Sequence, residues 1–246
     1  MRPFRPGIAP TVVVLLLLPL LIFLGTWQAG RADQKRELLA VYAERRAGDP
    51  ISSLQLSHYA DLAFRRVHLF GSFDAQHSVL LDNRTRDGRV GVELLQPFLD
   101  QASGLWVWVN RGWLPWPDRR TPPLFTTPNS PQSLEAWVYV APGATFQLHA
   151  DPADSQWPRL LTAIDAGALW AQLGRDGFAQ EMRMEPGPAA YRVDWPVVAM
   201  SPEKHLGYAV QWFALALALC GLYLYFGWHN NKEKHHGSSH ESTQHV

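Results

Sequence analysis

The sequence predicts an α+β membrane protein: two transmembrane helices flanking a mostly antiparallel β extramembrane domain with one or two helices. Three observations predict it. A long uncharged apolar run lies near each end of the chain, short apolar and β-branched pieces separated by turn residues fill the middle, and helical spacing returns there only briefly. A chain of 246 residues is long enough for one domain with its own core plus membrane segments.

The first run, Ile8 to Gln28, reads IAPTVVVLLLLPLLIFLGTWQ, and no charge occurs from Pro6 to Gly30. About 20 apolar residues rising about 1.5 Å each cross a hydrocarbon core about 30 Å thick. Pro19 predicts a kink, which transmembrane helices tolerate, and Trp27 marks one rim. Arg2 and Arg5 give the basic start of a signal peptide. The apolar stretch is longer than such a peptide needs, and no A-x-A site follows, which favours an uncleaved anchor.

Residues Gly30 to Ala47 keep helical spacing, with Leu38, Leu39 and Tyr42 on one face, so the first helix is expected to continue outwards until Asp49-Pro50 ends it. Strands are then expected at Arg65–Phe73, His77–Asn83, Val92–Leu99, Leu105–Arg111, Leu134–Val140 and Tyr191–Val198. Asp87-Gly88, Ala102-Ser103-Gly104 and Pro142-Gly143 mark turns, and Val92–Leu99 with Leu105–Arg111 reads as a hairpin. The Pro-rich stretch from Pro115 to Pro131 reads as an exposed loop, and Ala163 to Leu173 as a short helix capped by Asp165.

The second run, Leu206 to Trp228, reads LGYAVQWFALALALCGLYLYFGW. It is uncharged and carries aromatic residues at both rims, Tyr208 and Trp212 at one and Tyr223, Tyr225 and Trp228 at the other, which favours a span over a buried core helix. The expected division is an N-terminus over 1–7, a span over 8–28, a β-rich domain over 29–205, a span over 206–228, and a His-rich disordered tail over 229–246. Both termini then lie on one side. The side itself stays open on charge alone: Arg2, Arg5, Lys232 and Lys234 lie on the outer tails, against Arg31, Lys35, Arg36, Arg45 and Arg46 after the first run, and the charge rule weakens for long loops.

Several kinds of chemistry are excluded. With 22 basic and 22 acidic residues, nothing points to nucleic acid. The single cysteine, Cys220, lies inside the second apolar run, so the chain has no internal disulfide and no paired-thiolate site for copper, zinc or an iron–sulfur cluster. No G-x-S-x-G, H-E-x-x-H, P-loop or G-x-G-x-x-G motif is present, and His58, His68, His77 and His149 show no metal-ligand spacing.

One residue stands out. His205 precedes the second run, and His205, Tyr208, Ala209 and Trp212 follow the i, i+3, i+4, i+7 spacing of one helix face. A neutral imidazole beside aromatic and small residues at a membrane surface suits an axial haem ligand, with nitrogen for the iron and room for the macrocycle. On spacing alone, a histidine reaching the interface is the simpler reading. Trp27 leaves the bilayer on the side where His205 enters it.

Four blocks in order resemble the surfeit locus protein 1 family: Leu24-Gly25-Thr26-Trp27-Gln28 followed by Arg31 and Lys35; Phe64-Arg65-Arg66-Val67 with Gly71-Ser72-Phe73; Val109-Asn110-Arg111-Gly112-Trp113-Leu114-Pro115; and His205-Leu206-Gly207-Tyr208-Ala209-Val210-Gln211-Trp212-Phe213. They span residues 24 to 213. The resemblance implies a non-enzymatic assembly factor for a haem-copper cytochrome c oxidase. Such a factor holds haem a transiently and assists its insertion into the catalytic subunit, with haem a synthase as a further partner. It also implies a bacterial inner (plasma) membrane location, both termini cytoplasmic and the main domain in the periplasm. His205 is implied as the iron-binding residue, with Trp27, Tyr208, Trp212 and Arg31 around the haem. Arg31 and Lys35 are positioned to pair with propionates or to form a solvated helix face; Arg111 and Trp113 either cover the site or stabilise the fold. Glu203 departs from the pattern, since family members often carry Asn two residues before the histidine. The alternative function is a scaffold that stabilises an oxidase intermediate without binding haem. A copper chaperone lacks its paired cysteines here.

Overall fold

The computed structural model describes Phe4, residues 6–141 and residues 156–229. The expected turn at Pro142-Gly143, His149 and nearly all of the His-rich tail lie outside the described residues. Three α-helices are found among the described residues, α1 Ile8–Ala47, α2 Ala166–Leu173 and α3 Pro202–His229, with a short 3-10 helix over Ser53–His58. The chain divides into a helical unit, Met1–Ala40 with Val197–Val246, and a β unit, Val41–Pro196.

In the helical unit α1 and α3 run antiparallel. The Thr11 and Tyr223 hydroxyls meet at 3.0 Å, and Gln28 meets His205 at the other end. The buried positions are small or compact ones: Gly25 and Ala32 on α1; Pro202, Ala209, Ala216 and Gly227 on α3. The spacing is seven residues from Gly25 to Ala32 and from Pro202 through Ala209 to Ala216, which returns to the same helix face after two turns. Lipid gives no hydrophobic drive for helices to associate, so contact depends on small residues that let the helices approach. At Gly25 an added Cβ would lie 2.7 Å from the Phe213 ring. The bulky residues face outwards, with Leu15 68%, Leu16 69% and Leu217 74% exposed. That is the reverse of a soluble protein's arrangement and is what a lipid solvent demands. Both helices are long and apolar enough to cross a membrane. As expected, α1 continues unbroken past Gln28 to Ala47. The second helix starts earlier than expected, at Pro202, because proline suits a first turn, where its missing N–H leaves nothing unpaired.

The β unit holds eight strands among the described residues: β1 Ile51–Ser52, β2 Arg66–Phe73, β3 Val79–Arg86, β4 Arg89–Asp100, β5 Trp106–Pro115, β6 Gln132–Tyr139, β7 Arg159–Leu161 and β8 Gly177–Met184. Their order is β1-β2-β6-β8-β5-β4-β3-β7, and a further pairing of β2 with β4 closes a ring of β2, β6, β8, β5 and β4. Most pairs are antiparallel; β1–β2, β3–β7 and β5–β8 are parallel. Closure demands a glycine: Gly71 lies opposite Asp100, and a Cβ there would sit 1.8 Å from the Leu99 carbonyl oxygen. Alternation of side chains sends Val67, Leu69, Phe98, Val109, Leu134 and Met182 into one buried core. A second core lies under α2, where Trp170 stacks on Trp108 at 4.8 Å. Asp165 caps α2 by accepting from the Ala168 N–H at 2.9 Å, and Gly174 ends it in the left-handed conformation.

The hairpin β4–β5 and the β3–β4 turn stand where the sequence predicts them; Asp87 and Gly88 both have positive φ, as a tight primed turn requires. Two expectations need correcting. Tyr191–Val198 is not a strand: it makes one isolated bridge, Trp113 to Arg192, and Pro196 has no N–H to extend it. The Pro115–Pro131 stretch is not wholly exposed, since Pro123 is buried and Phe125 packs against a small core around Leu80 and Leu114. The strands β1, β7 and β8 are absent from the sequence reading.

Candidate functional site

His205 lies in the first turn of α3, half-buried, with Nδ1 2.7 Å from the Gln28 side-chain oxygen. Both residues occupy the seam between the helices. On α1 the seam runs Gly25, Gln28, Ala32; on α3 it runs Pro202, His205, Ala209, Trp212, alternating steps of three and four. The small residues bring the backbones near enough for the two polar side chains to meet.

The other expected residues divide between seam and flank. Ala209 is buried and Trp212 half-buried, both on the seam. Tyr208, 44% exposed, and Trp27, 46% exposed, turn outwards. The Arg31 guanidinium lies 5.7 Å from the Trp27 ring centroid and donates to the Gln34 side-chain oxygen at 3.0 Å. Lys35 is half-buried and Glu203 is exposed. The hydrogen bond of His205 is to Gln28, not to the carboxylate two residues before it. Gln28 is the residue that sequence reasoning missed. Its signal was available: a polar side chain three residues after Gly25 and four before Ala32, on the small-residue face.

The N-R-G-W block in β5 is structural. Arg111 is buried, donating to the Ala189 carbonyl at 2.8 Å, the Gln96 side-chain oxygen at 2.6 Å and the Thr126 carbonyl at 2.8 Å. Phe73 and Tyr191 flank its guanidinium at 4.9 and 5.1 Å. Burial lowers its affinity for its proton. Asn110 bridges two buried carboxylates, Glu93 at 3.0 Å and Glu181 at 2.8 Å, and Arg183 pairs with Glu181 at 2.9 Å. Gly112 has φ 112°, with the Arg192 carbonyl 2.7 Å from where a Cβ would stand. Trp113 donates its indole N–H to the Arg84 carbonyl at 2.8 Å. These internal partners make Arg111 and Trp113 stabilising parts of the β fold. Among the described residues no three His, Cys, Asp or Glu side chains cluster to hold a metal.

The SURF1 family model matches residues 15–217. A SURF1-like protein of Dictyostelium discoideum is 26% identical over 84% of this chain and 92% of its own length. Surfeit locus protein 1 of Gallus gallus is 32% identical over 41% of this chain and 38% of its own. A Saccharomyces cerevisiae protein named cytochrome oxidase assembly protein SHY1 is 30% identical over 37% of this chain and 24% of its own. The family match covers most of α1, the first half of α3 and every strand among the described residues, and the chain belongs to the SURF1 family.

Proposed function

We propose that this chain is a non-enzymatic assembly factor for a haem-copper cytochrome oxidase. It holds haem a as cargo through His205 and assists its passage to the catalytic subunit, with haem a synthase as a further candidate partner. The oxidase role rests on family membership and on the yeast relative's name. The haem role rests above all on His205, held at Nδ1 by Gln28 while Nε2 has no hydrogen bond to any described residue. That donor set fits an iron porphyrin, since one ring nitrogen is anchored and the other keeps its lone pair for a metal. Trp27 and Tyr208 leave aromatic surface exposed on the two helices, which suits a flat apolar macrocycle. Arg31 and Lys35, one and two turns beyond Trp27, would pair with propionates near water. We place the chain in the inner membrane, spanning it over 8–28 and 206–228, with 29–205 in the periplasm and residues 1–7 and the 229–246 tail in the cytoplasm.

The test is an absorption spectrum of the detergent-purified protein from cells that make haem a, with wild type beside His205→Ala. A haem a band in the wild type that is lost in the variant is the expected result. A folded, membrane-inserted wild type without haem a overturns the carrier reading and leaves a scaffold that stabilises an oxidase intermediate.

A further inference from the structure

We infer that Gln28 is a positioning residue: its side-chain oxygen fixes His205 in the Nδ1-protonated tautomer and so presents the Nε2 lone pair as the iron-binding atom. This rests on the carrier reading above, and adds the group that makes the imidazole competent. The argument is one of hydrogen-bond polarity. Nδ1 of His205 stands 2.7 Å from Oε1 of Gln28. An amide oxygen only accepts, so at that distance Nδ1 must carry the proton and donate it. A neutral ring has one N–H, which leaves Nε2 bare. A metal-bound histidine ordinarily gives its second nitrogen to such an acceptor, which fixes both the tautomer and the plane of the ring.

The fold makes the contact specific. Gln28 and His205 face each other across the seam because Gly25, Ala32 and Ala209 are small and buried. No other hydrogen bond of His205's ring to a described residue competes with Gln28, and the neighbouring Glu203 is exposed. Each helix therefore supplies one half of the ligand: α3 the imidazole, α1 the acceptor that orients it. Haem affinity and helix pairing become linked, since parting the helices removes the acceptor from the ring.

The experiment uses the full chain in detergent, as wild type, Gln28→Leu and Gln28→Glu, with His205→Ala to identify the His205 signals. Nitrogen-15 resonances of histidine at a pH where the ring is neutral read the tautomer without haem. Haem a titration and the reduced absorption band read the ligand. The wild type is expected to hold His205 in the Nδ1–H form and Gln28→Leu to release it, with haem a binding about 10- to 100-fold weaker. Gln28→Glu keeps an acceptor, so it is expected to keep both tautomer and haem while shifting the iron midpoint potential downwards, because an anionic acceptor makes the ring a stronger donor. Unchanged tautomer and haem affinity in Gln28→Leu would overturn the positioning role and leave the carrier reading intact. A Gln28-dependent tautomer in a wild type that takes up no haem a would overturn the ligand assignment, and the carrier reading with it.

Discussion

At the scale of single residues, the β unit carries its charges in closed groups. Asp100 is the clearest. One of its oxygens accepts from the Ser53 hydroxyl at 2.6 Å, the Ser103 hydroxyl at 2.7 Å and the Ser103 N–H at 2.9 Å, and the other accepts from the Phe70 N–H at 3.0 Å. Burial pushes this carboxyl up, but the hydroxyls and backbone donors outweigh it and hold it below the ordinary carboxylate range. A group depressed on folding adds stability above its unfolded value, about 3.9, and loses it as pH falls through the folded value. Asp100→Asn replaces an acceptor by a donor against these partners. It is expected to cost about 2 kcal/mol at pH 7 and progressively less below about pH 4. Denaturant unfolding of both proteins at pH 7 and at pH 3 checks it; an equal difference at the two values would contradict the assignment. The same closure explains why Arg111 and Trp113 resisted reading from sequence. An N-R-G-W block has the residue types of a binding site, and only the three-dimensional partners of Arg111 reveal that its donors are used internally.

At the scale of elements, closure of the ring turns on β2 against β4. With Leu99 backbone 1.8 Å from a Cβ at position 71, no side-chain movement relieves the clash. Gly71→Ala is therefore expected to destabilise by about 3 kcal/mol. Gly187→Ala, where the nearest atom lies at 3.9 Å, should stay within about 0.5 kcal/mol. Thermal unfolding of the two variants beside wild type distinguishes them, and equal melting temperatures would refute the closure argument. Elements whose burial is apolar were legible in the sequence. The strands β2 to β6 and the helix α2 stand within a few residues of where the sequence predicts them, because apolar and β-branched pieces bounded by turn residues mark the strands and an Asp cap marks the helix. By contrast β8, Gly177–Met184, was invisible. It lacks β-branched residues, and it buries Glu181 and Arg183 beside Met182 and Met184. Buried charges that satisfy one another defeat any rule that equates polar with exposed. Gln28 escaped for a related reason: one face of a membrane helix is chosen by its small residues, which hydropathy does not weigh.

At the scale of the whole molecule, the chain divides into a helical unit and a β unit, and the apolar runs near its two ends, which the average composition hides, were legible in the sequence. The side on which the β unit lies was not legible, since basic residues flank the first apolar run at both ends and the charge rule weakens for long loops. The proposed topology gives a direct expectation. With Cys220 replaced by alanine, a cysteine at the exposed position of His68 should react with a membrane-impermeant maleimide in intact cells permeable at the outer membrane. A cysteine at Ser238 should react only after lysis. The opposite pattern would place the β unit in the cytoplasm and end the periplasmic reading.

The place of β8 in the ring bears on how the protein is made. It pairs with β6 on one side and β5 on the other, yet among the described residues it is the last strand to leave the ribosome, ending at Met184, not far ahead of α3 at Pro202. Until it emerges, the nascent chain carries two unpaired strand edges and an open core, the surfaces most prone to sticking to other chains. Domain closure and emergence of α3 thus fall within a narrow window of translation. A premature stop anywhere before Gly177 does more than remove a helix: it releases a polypeptide whose barrel has no means of shutting.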